Sequence, residues 1–237
     1  MSNAGTSFNR FRNYPAFQRG FEAGGGILEQ GALVLGRYGG TVSTAPYDQE
    51  SEIEKAMEQE SGLEDWARMN GVWYDRPHDH YRSHGLKFYG YGGEAQVYAE
   101  GCSYVHKICR IGQYDNLIQF FDRIVIQNTL CPVASLEVEG LGRDAQNDFV
   151  VLLKQRFFRQ EHTMEEDEIV AFMERLGFRM LREDPYRIAR YYSDTVIMGD
   201  LHSGNIWMTG NANVVIIDAY CRFNYPGLGM GGKFIFG

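Results

Sequence analysis

The chain has 237 residues, 44% of them apolar and 23% charged, with a formal net charge of −8. That length suggests one or two domains with an ample core, and the acidic balance argues against a dedicated nucleic-acid binder. No apolar run approaches the ~20 residues of a membrane helix, and Met1-Ser2-Asn3-Ala4-Gly5 lacks the basic-then-apolar pattern of a secretory signal, so a cytoplasmic protein without a membrane partner is expected.

Residues 1–40 are rich in Gly and aromatics without a clean period, and Gly24-Gly25-Gly26 and Gly39-Gly40 read as turns or loose chain. From Asp48 to Met69 the pattern becomes helical and acidic. Ile53, Met57, Leu63 and Trp66 fall on roughly one side despite Gly62, as in a helix that docks on the neighbouring lobe. Leu86 to Tyr89 predicts a strand. Ala95 to Ala99 and Ser103 to Cys109 predict a hairpin turned at Glu100-Gly101. A helix is predicted from Tyr114 to Asn128, with Leu117, Ile118, Phe121, Ile124 and Val125 on one face and Pro132 forbidding continuation. Strands at Leu136 to Val138 and Asp148 to Lys154 flank a turn-prone stretch from Gly140 to Asn147. Thr163-Met164-Glu165-Glu166 reads as a capping box for a helix through Ile169, Phe172, Met173 and Leu176, stopped at Gly177. Short strands come next at Val196 to Met198, Ile206 to Met208 and Val214 to Ile217, then a glycine-rich tail from Pro226 to Gly237. Cys102, Cys109, Cys131 and Cys221 form no C-x-x-C pair and read as reduced thiols. His78, Asp79, His80 and His84 have no matching second cluster, so solvent-facing histidines are expected there rather than zinc.

The chemistry concentrates in Gly199-Asp200-Leu201-His202-Ser203-Gly204-Asn205 and in the apolar run Val214 to Ile217 that ends in Asp218. Phosphoryl transfer from ATP needs a carboxylate to orient the incoming hydroxyl and accept its proton, and oxygen ligands for Mg²⁺. Asp200 suits the first task; Asn205 and Asp218 suit the second. Asn205 comes five residues after Asp200 (205 − 200), the spacing of a kinase catalytic loop, and Asp218 comes thirteen after Asn205 (218 − 205). Any one of these residues alone reads as a turn or a cap; the joint pattern reads as a site. Upstream, Gly90-Tyr91-Gly92-Gly93-Glu94-Ala95-Gln96-Val97 places glycines between two strands, where backbone N–H groups can approach phosphates. Lys107, flanked by apolar residues on the next strand, must snorkel to water or find an anion.

With these motifs the chain resembles the protein-kinase-like superfamily over residues 85–220. The Gly-Asp-Leu-His-x-Gly-Asn form is closer to aminoglycoside and choline kinases, and Gly93-Glu94-Ala95-Gln96-Val97-Tyr98, Lys107, Gln155 and the abbreviated end resemble the kinase domain of bacterial polyvalent proteins. The resemblance implies an α+β fold of two lobes. An extension with a docking helix (1–84) precedes an antiparallel-sheet lobe (85–158) and a reduced helical lobe (159–237). It implies ATP with Mg²⁺ between the lobes and transfer of the γ-phosphate to a hydroxyl of an unidentified acceptor, protein or small molecule. It gives Lys107 the α- and β-phosphates, and Gly90, Gly92, Gly93 and Val97 the nucleotide. Gln155-Arg156-Phe157 becomes the hinge meeting adenine, and His202 the residue that orients Asp200 or its backbone. The helix after Lys107 has no Glu; Asp122 is the best substitute partner, with Asp115 behind it. Only nineteen residues (237 − 218) come after Asp218, too few for a long activation segment. A pseudokinase that serves as a nucleotide sensor or scaffold, and AMP transfer by the same fold, are the competing readings.

Overall fold

The computed structural model describes residues 15–38, 49–112, 114, 116–181, 190–211 and 213–223. Three helices come first: α1 (Pro15–Ala23), α2 (Gly25–Tyr38) and α3 (Gln49–Met69). Of the turns or loose chain expected at residues 24–26, a turn is found at Gly24, and Gly25 and Gly26 already belong to α2. Gly25, at φ +80°, reverses the chain between α1 and α2, and helix resumes at once. Gly39-Gly40 and the tail from Pro226 lie outside the described residues. In α3, Leu63 is buried and Trp66 partly so, whereas Met57 is 65% exposed and belongs to the wet side.

Next come β1 (Trp73–Tyr74), α4 (Pro77–Ser83), β2 (Lys87–Tyr91), β3 (Ala95–Glu100) and β4 (Tyr104–Arg110). After them stand α5 (Leu117–Leu130), a 3₁₀ turn at Pro132–Ala134, β5 (Leu136–Arg143) and β6 (Phe149–Arg156). One six-stranded sheet results, in the order β1-β5-β6-β4-β3-β2, antiparallel except where β1 runs parallel to β5. The predicted hairpin forms, with Gly101 at φ +60° in its turn. The stretch Gly140 to Asn147, expected as a turn, is strand as far as Arg143. Its glycines serve close approach rather than reversal: a Cβ on Gly142 would overlap the Tyr74 carbonyl oxygen of β1.

Asn116 caps α5, its side chain accepting from the Gln119 N–H at 3.0 Å. Every residue from Phe120 to Asn128 is buried, because α1, α2, β5 and the later strand at Tyr220–Phe223 all pack against α5. A Cβ on Gly20 would overlap the Val125 carbonyl oxygen, so α1 meets α5 backbone to backbone. Asn128 ties the layers together: its amide donates to the Gly20 and Leu136 carbonyls, and its oxygen accepts from the Leu136 N–H at 2.7 Å. Leu28, Leu35 and Leu63 share one apolar core with Phe120, Phe121 and Ile124, and with Val215 and Cys221 far along the chain.

The remainder holds β7 (His162–Thr163), α6 (Glu166–Arg175), β8 (Arg179–Leu181), β9 (Arg190–Tyr192), β10 (Val196–Gly199), β11 (Ile206–Met208), β12 (Val214–Ile216) and β13 (Tyr220–Phe223). The helical character expected here is corrected. Among the described residues there is one helix and two small antiparallel sheets, β13-β10-β9-β8 and β12-β11-β7. The capping box is also displaced: Thr163 pairs with Trp207 in β7, and Glu165 caps α6, its N–H donating to the Glu168 carboxylate at 3.0 Å. Gly177, at φ +86°, ends the helix as predicted. No described helix is long and apolar enough to cross a membrane.

Candidate functional site

Two ladders bring three distant polar residues together. β10 pairs with β13, Gly199 opposite Tyr220, so the chain leaves one strand at Asp200 where it enters the other after Asp218. β11 pairs with β12, Ile206 opposite Ile216, and the Ile217 N–H donates to the Asn205 carbonyl at 2.9 Å, which sets Asn205 beside Asp218. The Asn205 amide group joins all three. Its Nδ2 donates to the Asp200 carbonyl at 2.9 Å, to Asp200 Oδ2 at 3.0 Å and to the Asp218 carbonyl at 3.4 Å. Those bonds fix the amide orientation and leave Asn205 Oδ1 on the other side.

Asp200 sits at φ +57°, a left-handed conformation that Asp tolerates better than most residues. Burial pushes its carboxyl above the ordinary aspartate value, against the lowering influence of His202 and Asn205. His202 Nδ1 accepts from the Gly204 N–H at 3.0 Å, so the neutral ring carries its proton on Nε2, which faces Asp200 Oδ1 at 3.6 Å.

Lys107 projects from β4 on the face shared with Val105 and Cys109, toward α5, and is 5% exposed. The expected partner Asp122 is replaced by Asp218: Lys107 Nζ donates to Asp218 Oδ1 at 2.7 Å. Asp122 is buried on α5, and Asp115 lies outside the described residues. Burial pushes the Asp218 carboxyl up, but Lys107 and Arg123 together hold it below the usual carboxylate range. Cys109 is pushed up to about 12 by burial, so this neighbouring thiol is inert.

One contributor has no place in the motif pattern, and a second, Glu94, stands inside the glycine-rich motif without a role assigned to it. Arg123 of α5, 2% exposed, places NH1 2.6 Å from Glu94 Oε2 and NH2 3.5 Å from Asp218 Oδ1. Burial pushes the Glu94 carboxyl up, opposed chiefly by Arg123. The available signal was the dipeptide Asp122-Arg123 inside an otherwise apolar helix face, a charge that has to be answered somewhere.

The glycine-rich turn joins β2 to β3. The Gly92 N–H donates to the Ala95 carbonyl at 2.7 Å, and nothing in the protein lies within 4 Å of where a Cβ would stand on Gly90 or Gly93. Internal packing therefore does not require glycine at those two positions. Val97 stands opposite Lys107 in the ladder. Gln155 pairs with Val105 on one side and Leu136 on the other, its side chain bonded to the Ala134 carbonyl at 2.7 Å. The Phe157 N–H donates to the Ser103 carbonyl at 2.9 Å. His78 Nδ1 bonds the Tyr98 hydroxyl and His84 Nδ1 the His80 carbonyl, both at 2.8 Å.

Among the described residues no three His, Cys, Asp or Glu side chains converge on one metal position. The Asp218 carboxylate and Asn205 Oδ1 are hard oxygens of the kind that could hold Mg²⁺ completed by phosphate and water, on residues joined by the Asn205 amide.

A strand lysine aimed at an aspartate, with an Asp and an Asn clamped beside it, is the residue set of a kinase. The family model for serine/threonine/tyrosine kinases found in polyvalent proteins matches residues 56–225, well over half of the chain, and the chain belongs to that family. No curated protein matches the chain, and no solved structure does.

Proposed function

We propose that this kinase is an ATP- and Mg²⁺-dependent phosphotransferase, working in a cleft between the six-stranded sheet lobe and the strand-rich lobe that carries Asp200 and Asp218. The observation that carries the reading is the single amide of Asn205 bonded to both the Asp200 carboxylate and the Asp218 backbone, with Lys107 on the Asp218 side chain. Asp218 and Asn205 would hold Mg²⁺, which supplies charge neutralisation of the triphosphate when bound. Lys107 exchanges its aspartate for the phosphates, and the open turn around Gly93 covers them. The Phe157 carbonyl and the chain after it offer the adenine edge more readily than the N–H already given to Ser103.

Asp200 accepts the proton of the acceptor hydroxyl as that oxygen bonds to the γ-phosphorus. The bond between the γ-phosphorus and the β,γ-bridging oxygen breaks, and ADP leaves. A carboxyl raised by burial is a better proton acceptor than an ordinary one. His202, at 3.6 Å, steadies the carboxylate rather than competing for the proton. Mass spectrometry of the protein and of a lysate after incubation with ATP and Mg²⁺ tests the reading. A gain of one phosphate on an acceptor supports it. A gain of AMP shows a nucleotide bound in the opposite sense, and no transfer to any acceptor leaves a scaffold.

A further inference from the structure

A guanidinium 2% exposed is stable only with an anion beside it. Arg123 has two, on different elements: Glu94 of the glycine-rich turn and Asp218 after β12. Lys107 shares the second. In the kinase pattern of a strand lysine and a helix carboxylate, the helix supplies the anion. Here α5 supplies the cation, and the carboxylate has moved to the turn. Charges balance as two cations against two anions, and each anion sits on a segment that must meet the phosphates.

We propose that Arg123 and Glu94 are positioning residues, whose ion pair holds the glycine-rich turn at a fixed height over Asp218 so that the turn and Lys107 meet the triphosphate together. The backbone of Glu94 is already tied to the sheet, its carbonyl accepting from the Arg110 N–H at 3.1 Å. Its side chain is the inward tether of a turn in which Gly90 and Gly93 stand in open space. Without that tether the turn keeps its ladder at Ala95 but loses its grip on the floor of the site. A lysine in place of Arg123 keeps the charge yet cannot fork to two carboxylates on different elements. Losing Glu94 also removes the nearer of the two carboxylates beside Arg123, so Asp218 must answer Arg123 and Lys107 without help and is a poorer oxygen donor.

The inference rests on the phosphotransferase reading above. It is tested by calorimetry of wild type, Glu94→Gln and Arg123→Lys with ATP·Mg²⁺ and, separately, with adenosine, which lacks phosphates. Both variants are expected to lose about tenfold or more in ATP·Mg²⁺ affinity, in the range of ordinary coupling energies, while adenosine affinity stays within about twofold. In transfer assays, KM for ATP rises more than kcat falls. Parallel weakening of ATP and adenosine, or no change in either, overturns the positioning role while leaving the phosphotransferase reading in place. If the wild type binds no nucleotide, the phosphotransferase reading falls and this inference with it. Should Arg123→Lys fail to fold, Glu94→Gln decides alone, since its amide replaces a carboxylate at the cleft side of the pair.

Discussion

Asp218→Asn and Asp200→Asn delete the same charge from the same site, yet should affect stability differently. Asp218 answers Lys107 at 2.7 Å and Arg123 at 3.5 Å, cations whose side chains are 6% and 2% exposed. Removing one partner of a buried pair costs about 3–5 kcal/mol; here the Asp218 side chain is 39% accessible and Glu94 still answers Arg123, so about 1–3 kcal/mol is expected. For a chain of this length that is roughly 2–12 °C in Tm. Asp200 is the reverse case, since burial disfavours its charge and Asn tolerates a positive φ as readily. Asp200→Asn should therefore be stabilising, or neutral within about 0.5 kcal/mol. Functionally the order inverts. Asp218→Asn loses metal-dependent ATP binding, whereas Asp200→Asn keeps it and loses roughly 10²–10⁴-fold in transfer rate. Urea unfolding followed by circular dichroism, calorimetry with ATP·Mg²⁺ and mass spectrometry of transfer read the three quantities. An Asp200→Asn protein as unstable as Asp218→Asn, or an Asp218→Asn protein of wild-type stability, refutes the charge balance. Wild-type transfer by Asp200→Asn refutes the assignment of the base.

Gly142→Ala should lose about 1–3 kcal/mol in the same urea assay, because its Cβ overlaps the backbone oxygen of Tyr74; Gly90→Ala, in open space, should unfold as wild type. His106 gives a pH signature. Burial lowers its pKa, but Glu139 at 2.7 Å and Glu100 at 3.3 Å outweigh burial and raise it overall. The stabilisation is thus complete below the unfolded value of about 6.5 and is lost as pH rises through the folded one, so urea midpoints should fall from pH 6 to pH 9, and His106→Gln should flatten that slope. ATP with Mg²⁺ at ~100 times its Kd should add about 2.7 kcal/mol to unfolding, seen as a thermal shift. No shift with any nucleotide, with Mg²⁺ or Mn²⁺, removes the transferase and nucleotide-sensor readings together.

The central strands and α5 are legible in the sequence because each buries a continuous apolar set: Val150 to Leu153 in β6, and Phe120 to Ile126 with two charges among them. That Asp200, Asn205 and Asp218 come together is legible because they stand at fixed spacing beside apolar strands. Two other features are not. Gly140 and Gly142 carry the composition of a turn, and only the presence of β1 against them explains their use in a strand. The partner of Lys107 is set by the register of β10 on β13, a contact between residues far along the chain from the lysine, which helix-local spacing cannot reveal. Residues 1–40 hid two helices because Gly20, Gly24 and Gly31, which weaken any helical pattern, are small for the sake of close packing: a Cβ on Gly31 would meet Phe121 at 2.9 Å.

The enclosure of α5 bears on control. Kinases that are switched by swinging the helix beside the lysine strand need that helix to have a wet side along which it can slide. Here nine successive residues, Phe120 to Asn128, are buried, and α1 touches the helix backbone through Gly20. Rotating α5 outward would first have to strip away α1 and α2 and break the three Asn128 hydrogen bonds that hold α5 to α1 and β5. The helix behaves as a fixed axle, with Arg123 as its spoke to Glu94 and to Asp218. On the phosphotransferase reading proposed above, gating falls on the glycine-rich turn or on the arrival of the acceptor, because the axle itself cannot turn without displacing the amino-terminal helices.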